Sequence, residues 1–465
     1  MDTEFLDLCG FEKQELATEG PRVDRAFSIL EIGPRDIEHA KEALTKYFRI
    51  ELVGMRKVFG ILLKELADLV LAKEEGKKVI YGSYPPLSVI LAAGALAGDD
   101  IYCGPPESVV SNIMVPLFGQ ERINPFLEMA ERNGLAPGFN PCSYLKLRLG
   151  GVIAEKLPRP DLLLSFCFLC DQTPKTDDIL QYLYGVPIAY VDNVFEDKGD
   201  LWPRDISPRL VRYFAAEIKA CARKFSQVIG YDLSEERAVA AMNIRDDFFR
   251  TFDRLFELMK ADPVPLSQND FIKISQMVYS CIRRGLLEGP KALAILHKEL
   301  EERIRQGVGV VAKGAPRVLI YMVPHNPSLV DMIEKLGLAV PVTTLAATPT
   351  ANVPSEYTTV WEQTAAALMR RRGCYYSSWA EIRQFKELAE LWKVDGVIIF
   401  VHTPCRQHLL YPLKEKMVVE EELGLPAMIV EGDYVDSRNY NEGQLRTRLE
   451  TFTEIVKSAR ARREK

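Results

Sequence analysis

Two separate stretches of this chain repeat one pattern, in which a short apolar run leads through a turn into a helix. KKVIYGSYPPLSVILAAGAL (77–96) combines a β-branched run, a Gly/Pro turn and an Ala/Leu-rich helix. PRVLIYMVPHNPSLVDMIEKLGLAVPVTTL (316–345) has the same order and adds a second strand after a glycine. Strands that alternate with helices are typical of a parallel, doubly wound sheet. The sequence therefore predicts an α/β protein with two parallel-sheet lobes.

Helical patterns fill the rest of the chain. Residues 206–306 contain almost no strand signal, and stretches such as PRLVRYFAAEIKACARKFSQVIG space their apolar residues as amphipathic helices do. A chain of 465 residues is also too long for one core. We predict four consecutive parts: a helical N-terminal segment (1–77), a first α/β lobe (78–205), a helical connector (206–315), and a second α/β lobe with a C-terminal helix (316–465).

Charge and hydropathy exclude several classes of protein. A net charge of −6 argues against a general nucleic-acid binder. The acidic start MDTEFLDLCGFEKQE does not have the pattern of a signal peptide. The longest apolar stretch (79–98) is broken by Tyr-Pro-Pro and several glycines, so we do not expect it to span a membrane. We predict a cytoplasmic protein, in which nine cysteines are not expected to form disulfides.

Three cysteines lie where a parallel sheet would bind a ligand. Ligands of such sheets bind in the loops that follow the carboxyl ends of the strands. Cys170 ends the predicted strand PDLLLSFCFLC, and Cys405 follows the strand GVIIFV in the loop HTPCRQH. Cys142 lies in NPCSYLK, at a helix start marked by proline. These three residues are candidates for metal binding or catalysis.

The other cysteines divide by their predicted location. Cys103 follows the strand DDIY, and Cys374 lies in a turn after a glycine, so both are further strand-end or loop candidates. Cys221 and Cys281 lie inside amphipathic helices, where a core role is expected. Cys9 is near a terminus that we expect to be loose.

The pair in CFLC, Cys167 and Cys170, leaves several interpretations open. A zinc ribbon needs a second pair of this kind, and a thioredoxin-like site places its CxxC at a helix start, whereas this one is predicted to lie partly within a strand. An iron–sulfur cluster needs only thiolates that converge from anywhere in the fold. Simple packing of scattered cysteines also remains open.

Other catalytic patterns are mostly missing from the sequence. It contains no GxxxxGK[ST] phosphate loop, no GxGxxG after a strand and no GxSxG nucleophile elbow. His402 and His408 flank Cys405, so a Cys/His nucleophile pair is one interpretation. The other is an ordinary structural role for a loop histidine.

Several motifs together resemble the 2-hydroxyacyl-CoA dehydratase and benzoyl-CoA reductase family. They are NPCSYLKLRLGG, LPRPDLLLSFCFLCDQTPK and the closing VDGVIIFVHTPCRQHLL with LGLPAMIVEGDYVDSRNYNEGQLRTRLETF. The most specific part is E-x-D-x-x-D-x-R followed by Q-x-x-T-R-L-E-x-F. Its residues are Glu431, Asp433, Asp436, Arg438, Gln444, Thr447, Arg448, Leu449, Glu450 and Phe452. The resemblance covers about residues 78–455.

This resemblance implies a fold and a cofactor. Family members have two flavodoxin/Rossmann-like lobes with a helical part, and three cysteines hold a [4Fe–4S] cluster between the lobes. The ligands carried over to this chain are Cys142, Cys170 and Cys405. Cys167 departs from the pattern and could replace Cys170; we prefer Cys170, because it is nearer the strand end.

The resemblance also implies a reaction and partners. Such enzymes transfer one electron at low potential to an acyl-CoA thioester, and the ketyl radical then loses a hydroxyl group or, for an aromatic substrate, accepts protons. The implied partners are an acyl-CoA substrate, a homologous subunit in a homo- or heterodimer, and a separate ATP-dependent iron–sulfur activator, with no nucleic acid or membrane.

Two alternatives remain within the family. One branch carries a double-cubane [8Fe–9S] cluster and reduces small molecules, for which Cys103, Cys167 and Cys374 would supply three further ligands. The chain could also be an electron-relay subunit without its own substrate site.

Overall fold

The chain is described by a computed structural model at residues 2–82, 88–136, 141–167, 170, 172–192, 207–280, 282–344, 356–370, 386–405, 408–438 and 440–464. Cys281 and Cys374 lie outside these residues. No helix within the described ranges is long and apolar enough to cross a membrane.

Five helices form the N-terminal part of the chain. They are α1 (Thr3–Leu8), α2 (Lys13–Thr18), α3 (Gly20–Ile29), α4 (Pro34–Tyr47) and α5 (Val53–Leu71). Helix α5 is buried along almost its whole length because most of its residues are apolar. Cys9, expected in a loose terminus, is fully buried instead, since its backbone packs against Gly60 of α5. That expectation was wrong.

The first sheet has four parallel strands. Its elements are β1 (Lys78–Gly82), α6 (Ser88–Ala95), β2 (Ile101–Gly104), α7 (Pro106–Ile113), a π-helical turn (Met114–Phe118), a 3₁₀ turn (Gln120–Ile123), α8 (Asn124–Arg132), α9 (Ser143–Ile153), β3 (Leu162–Phe166), α10 (Gln172–Tyr184) and β4 (Ile188–Val191). The strand order is β2-β1-β3-β4, and every pairing is parallel. Strands β2 and β3 are buried along their whole length, as parallel strands covered by helices require.

Four long helices connect the two sheets. They are α11 (Pro208–Ile229), α12 (Glu235–Leu258), α13 (Gln268–Ser280) and α14 (Ile282–Gln306). Helix α14 packs against α5 of the N-terminal part. Partly buried ion pairs join the same two helices: Lys64 pairs with Glu288, and Asp68 accepts hydrogen bonds from Arg284 at 2.6 and 3.1 Å. The N-terminal helices and the connector therefore share one packed helical body, and the predicted domain boundaries stay a prediction.

The second sheet repeats the first. Its elements are β5 (Arg317–Tyr321), α15 (Ser328–Lys335), β6 (Ala339–Thr343), α16 (Val360–Arg370), β7 (Gly396–His402), α17 (Pro412–Glu422), β8 (Ala427–Gly432) and α18 (Glu442–Arg463). The order β6-β5-β7-β8 is again fully parallel. The predicted α/β fold with two parallel sheets and helical segments is confirmed.

Both sheets have the strand order of the flavodoxin type, in which the chain direction across the sheet reverses between the first and third strands. The crevice at this reversal lies at the carboxyl ends of β1 and β3 in the first sheet, and of β5 and β7 in the second. Ligands of such sheets bind in this crevice. The fold therefore points to the residues that follow β3 and β7.

Candidate metal centre

The third strand of each sheet leads directly to a candidate cysteine. Strand β3 ends at Phe166, so Cys167 lies just past the strand rather than within it as predicted, although its amide still donates to the carbonyl of Val191 at 3.1 Å. Cys405 follows β7, and its amide donates to the carbonyl of His402 at 2.9 Å, which turns the chain sharply at the strand end. In both sheets, a cysteine therefore follows the third strand.

Cys142 and Cys170 lie at the amino ends of two helices. Cys170 was predicted to end the strand, which is wrong: β3 ends at Phe166, and Cys170 lies beyond it, just before α10. Cys142 is the N-cap residue of α9 and has an extended backbone (φ −65°, ψ 162°). The backbone amide of Leu145 favours the Cys142 thiolate, and the amides of Gln172 and Thr173 do the same for Cys170. Free N–H groups and the positive end of a helix stabilise a thiolate or another anion. Both helix starts are therefore suited to hold negatively charged sulfur.

The thiols of Cys142, Cys170 and Cys405 interact with one another. Burial raises the pKa of Cys142 well above its ordinary value, and the neighbouring Cys170 and Cys405 raise it further. Burial likewise raises the pKa of Cys170, with a further contribution from Cys405. The fold thus brings together all three residues that the sequence nominated, from two helix starts and one strand end. A group of half-buried thiols whose negative charges would repel one another is the kind of donor set that a bound cationic centre stabilises.

Cys167 has different surroundings. Burial raises the pKa of its thiol to about 11, and the next contributions come from the carboxylates of Asp192, Asp177 and Asp178, ahead of Cys170. Cys170, in contrast, interacts with Cys405 and receives the backbone amides of Gln172 and Thr173. Cys170 is therefore the better candidate for the converging set.

Two further cysteines lie in the core. Cys103 is inside β2, not after the strand as predicted, and its sulfur lies against Gly94. Burial and the nearby Cys221 both raise the pKa of Cys103. Cys221 is buried in α11, as expected for a core residue. Cys103 thus faces the helices behind the sheet, away from its carboxyl edge.

Within the described ranges, no three His, Cys, Asp or Glu side chains lie close enough together to bind a single metal ion. The three ligands of one ion must meet at one atom, whereas thiolates that each bind a different iron of a cubane are further apart. The converging cysteines are thus unsuited to a mononuclear zinc site.

The C-terminal motif lies at the contact between the two lobes. The hydroxyl of Ser143, next to Cys142, donates a hydrogen bond to Asp433, which follows β8. The amides of Val435 and Asp436 donate to the same carboxylate at 2.9 and 3.0 Å. Burial raises the pKa of Asp433 to about 6, against the opposing effect of these hydrogen bonds.

A second polar contact between the lobes surrounds Arg438. Its guanidinium donates to both carboxylate oxygens of Glu131 at 2.9 and 2.7 Å, and it also pairs with Asp436 at 2.7 Å. Glu131, at the end of α8, in turn pairs with the buried Lys146 of α9 at 3.3 Å. This bidentate geometry fixes orientation as well as distance.

Aromatic and imidazole rings line the same region. The ring of Tyr434 stacks on His402 with centroids 4.0 Å apart, and the Tyr434 amide donates to His402 Nδ1 at 3.2 Å. The rings of His325 and His408 lie 6.2 and 6.3 Å from Tyr434. Burial lowers the pKa of His402 to about 3, so this imidazole is neutral. Three of the five histidines of the chain thus surround one tyrosine beside the cysteines.

Sequence reasoning missed two members of this group, His325 and Tyr434. His325 follows β5, and its amide donates to the Tyr434 carbonyl at 3.1 Å. The rule about strand ends, applied to histidines as well as cysteines, would have found His325. Tyr434 carries no such signal except its position inside the E-x-D-x-x-D-x-R motif.

The profile of a known family matches most of this chain. The profile is described as 2-hydroxyglutaryl-CoA dehydratase, D-component, and it covers residues 83–456. The chain belongs to this dehydratase family. The resemblance noted in the sequence is thereby confirmed, and the match includes all three converging cysteines and the C-terminal motif.

Individual dehydratase-family relatives are distant but match over most of their length. The (R)-phenyllactyl-CoA dehydratase alpha subunit of Clostridium sporogenes is 22% identical, over 83% of this chain and 91% of the relative. The (R)-2-hydroxyisocaproyl-CoA dehydratase alpha subunit of Clostridioides difficile is 21% identical, over 85% and 94%. A benzoyl-CoA reductase subunit of Thauera aromatica is 23% identical, over 69% and 77%. The relatives of this chain thus include subunits of both kinds of enzyme.

Proposed function

We propose that this chain is the iron–sulfur subunit of a low-potential, one-electron reducing enzyme that acts on acyl-CoA thioesters. The reaction is the dehydration of a 2-hydroxyacyl-CoA or the reduction of an aromatic acyl-CoA through a ketyl radical. The observation that carries the proposal is the convergence of Cys142, Cys170 and Cys405 at the crevices of the two sheets. The family match and the names of its dehydratase and reductase relatives supply the substrate class.

The residues present fit a [4Fe–4S] cluster held by three thiolates. Cubane clusters are bound by cysteine thiolates, which need not be adjacent in sequence. Here the three thiols come from both lobes, and two of them receive backbone N–H groups at helix starts. Hydrogen bonds to sulfur are one of the means by which a protein sets the potential of such a cluster. When bound, the cluster would supply single electrons at low potential and a Lewis-acidic iron.

The chain's own side chains would hold and shield this centre. The Ser143–Asp433 hydrogen bond fixes the start of α9, and with it Cys142, against the second lobe. The stacked pair of His402 and Tyr434 covers the strand end that leads to Cys405. Neutral, closely packed rings exclude water, which strengthens electrostatic interactions inside the site. This is the environment that a strongly reducing centre requires.

The proposal includes two protein partners. The relatives described above are each named as one subunit of an enzyme, so we infer that this chain also works with a second, homologous subunit. An ATP-dependent iron–sulfur activator would deliver the electron. The absence of a phosphate-loop motif from this sequence is consistent with ATP hydrolysis on a separate protein.

The test is iron and sulfide analysis of anoxically purified protein. We expect about four irons per chain. Serine at Cys142, Cys170 or Cys405 should remove most of the iron and the brown absorbance, whereas Cys167→Ser is the matched control that keeps them. About eight irons would favour the double-cubane alternative, and iron-free protein from an anoxic preparation would overturn the proposal.

The substrate class needs a separate assay. Dehydration of 2-hydroxyacyl-CoA thioesters is measured with the partner subunit and the activator present. Turnover of these thioesters would support a dehydratase. Turnover of aromatic acyl-CoA alone would instead assign the chain to the ring reductases.

A further inference from the structure

His402 is the last residue of β7 and forms a tight turn with Cys405. The amide of Cys405 donates to the carbonyl of His402 at 2.9 Å, which closes the turn over the two residues between them. The Cα atoms of the first and last residues of such a turn are less than about 7 Å apart. The structure describes every residue of this turn. The closeness of His402 to a candidate ligand therefore depends on no other segment of the chain.

One ring nitrogen of His402 is a hydrogen-bond acceptor. The amide of Tyr434 donates to Nδ1 at 3.2 Å. Oδ1 of Asp433 is 3.9 Å from the same nitrogen, which is too far for a hydrogen bond. A nitrogen that accepts an amide proton carries no proton of its own, and in a neutral imidazole the other nitrogen then carries it. The proton of His402 is therefore on Nε2, so Nε2–H is a donor.

This donor is buried and is not used within the described part of the chain. Only 2% of His402 is exposed, and its ring stacks on that of Tyr434. Nε2 has no hydrogen-bond partner among the described residues. A buried donor without an acceptor costs free energy, so a functional site that leaves one in place provides the acceptor with its ligand. The position of this N–H thus points to an acceptor that belongs to the bound centre.

The candidate ligands differ in the N–H groups that surround them. Backbone amides at helix starts favour the thiolates of Cys142 and Cys170. Cys405 instead follows a strand, and its own amide donates to the carbonyl of His402. The side chain of His402 can supply to this side of the centre the kind of donor that the helix starts supply to the other two cysteines.

We propose that Nε2–H of His402 donates a hydrogen bond to a sulfur atom of the cluster on the side of Cys405, either the thiolate or the adjoining sulfide. The inference rests on the proposed function, because it requires the cluster. His402 binds no iron in this arrangement, so a cluster held by three thiolates keeps one iron open to the substrate. A hydrogen bond to sulfur stabilises the reduced cluster more than the oxidised one, because the reduced cluster carries more negative charge. His402 would thereby raise the reduction potential.

Two substitutions separate the roles of the two ring nitrogens. The side-chain oxygen of asparagine can replace Nδ1 as the acceptor for the Tyr434 amide, but this short side chain does not reach the position of Nε2. The longer side chain of glutamine offers an N–H at that position. We expect a lower potential than in the wild type for His402→Asn and a potential nearer the wild-type value for His402→Gln, both with about four irons per chain after anoxic purification. An unchanged potential in His402→Asn, or equal potentials of the two variants, would overturn the inference.

Pulsed EPR of the reduced full-length wild-type chain tests the inference even if neither variant folds. Protein is prepared anoxically, without substrate, with unlabelled and with ¹⁵N-labelled histidine. We expect a weak histidine nitrogen coupling, and its loss in His402→Asn. Wild-type protein with about four irons but no such coupling would overturn the inference and leave the proposed function standing. A coupling that appears only after an acyl-CoA is added would also overturn it, because the acceptor would then be the thioester. Iron-free wild-type protein would instead refute the proposed function itself.

Discussion

Ser143 and Asp433 are 290 residues apart in the sequence, and a hydrogen bond joins their side chains across the two lobes. Ser143 begins α9 directly after Cys142, and Asp433 follows β8 of the second sheet. One lobe thus supplies the cysteine, and the other fixes the helix start that presents it. The candidate centre is consequently a property of both lobes together.

This hydrogen bond leads to the first prediction. Ser143→Ala removes one of the three hydrogen-bond donors that the described part of the chain supplies to the buried carboxylate of Asp433, and the amides of Val435 and Asp436 remain. We expect a loss of about 1–3 kcal/mol in the free energy of unfolding, and a lower iron content after anoxic purification. Urea unfolding and iron analysis measure the two effects. The exposed Ser458→Ala is the matched control, for which we expect a change within about 0.5 kcal/mol. Equal effects of the two substitutions would show that the hydrogen bond contributes nothing.

The second prediction concerns Gly150, in the middle of α9. A Cβ atom at this position would lie 1.8 Å from the carbonyl oxygen of Phe126 in α8, so only glycine permits the observed contact between the two helices. Gly150→Ala must push α9 away from α8, at a cost of about 3 kcal/mol or more. Because Cys142 caps α9, iron should be lost as well.

Gly443→Ala provides the comparison for Gly150→Ala. Gly443 lies in the first turn of α18, where the nearest atom to an added Cβ is Asn441 Oδ1 at 3.6 Å. Alanine is favoured over glycine in helices, so this variant should be neutral or slightly stabilising. Thermal unfolding compares the two variants. Equal shifts of their unfolding midpoints relative to the wild type would contradict the prediction.

Much of this architecture could be predicted from the sequence, because short apolar runs between turns are the pattern of buried parallel strands. The errors were local: Cys103 was placed after β2 and lies within it, and Cys167 was placed in β3 and lies just beyond it. A one-residue difference of this kind moves a side chain to the other face of a sheet. Such a difference decides whether a cysteine faces the crevice or the core. Sequence periodicity alone does not locate the end of a strand to within one residue.

The site was less predictable than the fold. The expectation that ligands bind at strand ends identified Cys170 and Cys405 as candidates. Their proximity to Cys142, however, depends on how the two lobes pack against each other, and this involves residues far apart in the sequence. The ring cluster around Tyr434 depends on the same packing. A tyrosine is uncharged and does not belong to a metal-ligand spacing pattern. The sequence therefore gives no signal that Tyr434 contacts three histidines.

The third prediction is a pH dependence that comes from Asp270. This carboxylate is fully buried in α13 and accepts the amide of Arg49 at 2.9 Å; burial raises its pKa from 3.8 to about 8. The folded protein therefore keeps this proton between about pH 4 and 8, where the unfolded chain releases it. Because the folded state binds more protons in this range, the free energy of unfolding falls as the pH rises.

Asp270→Asn should remove that slope. The amide stays uncharged at every pH and can still accept the Arg49 amide. We expect the variant to gain stability over the wild type between about pH 5 and 8, by at most about 1.4 kcal/mol per pH unit. Urea unfolding across this pH range measures the difference, and parallel curves for the two proteins would refute the assignment.

The fourth prediction concerns the ion pair between Arg148 of α9 and Asp177 of α10. Both side chains are fully buried, 2.7 Å apart, and they join the two helices whose starts present Cys142 and Cys170. Asp177→Asn leaves the guanidinium buried without an opposite charge, which should cost about 3–5 kcal/mol. The double substitution Arg148→Met with Asp177→Leu removes both charges together and should cost less than the single one.

A double-mutant cycle based on urea unfolding, with Arg148→Met and Asp177→Leu as the single variants, measures the coupling between these two charges. If the effects of the two single substitutions on the free energy of unfolding simply add in the double variant, the two charges do not interact. If the double variant instead recovers stability and keeps its iron, the pair matters for helix packing alone. If it recovers stability but loses iron, the buried positive charge itself helps to hold the centre, because a cluster bound by thiolates carries net negative charge that a nearby guanidinium stabilises.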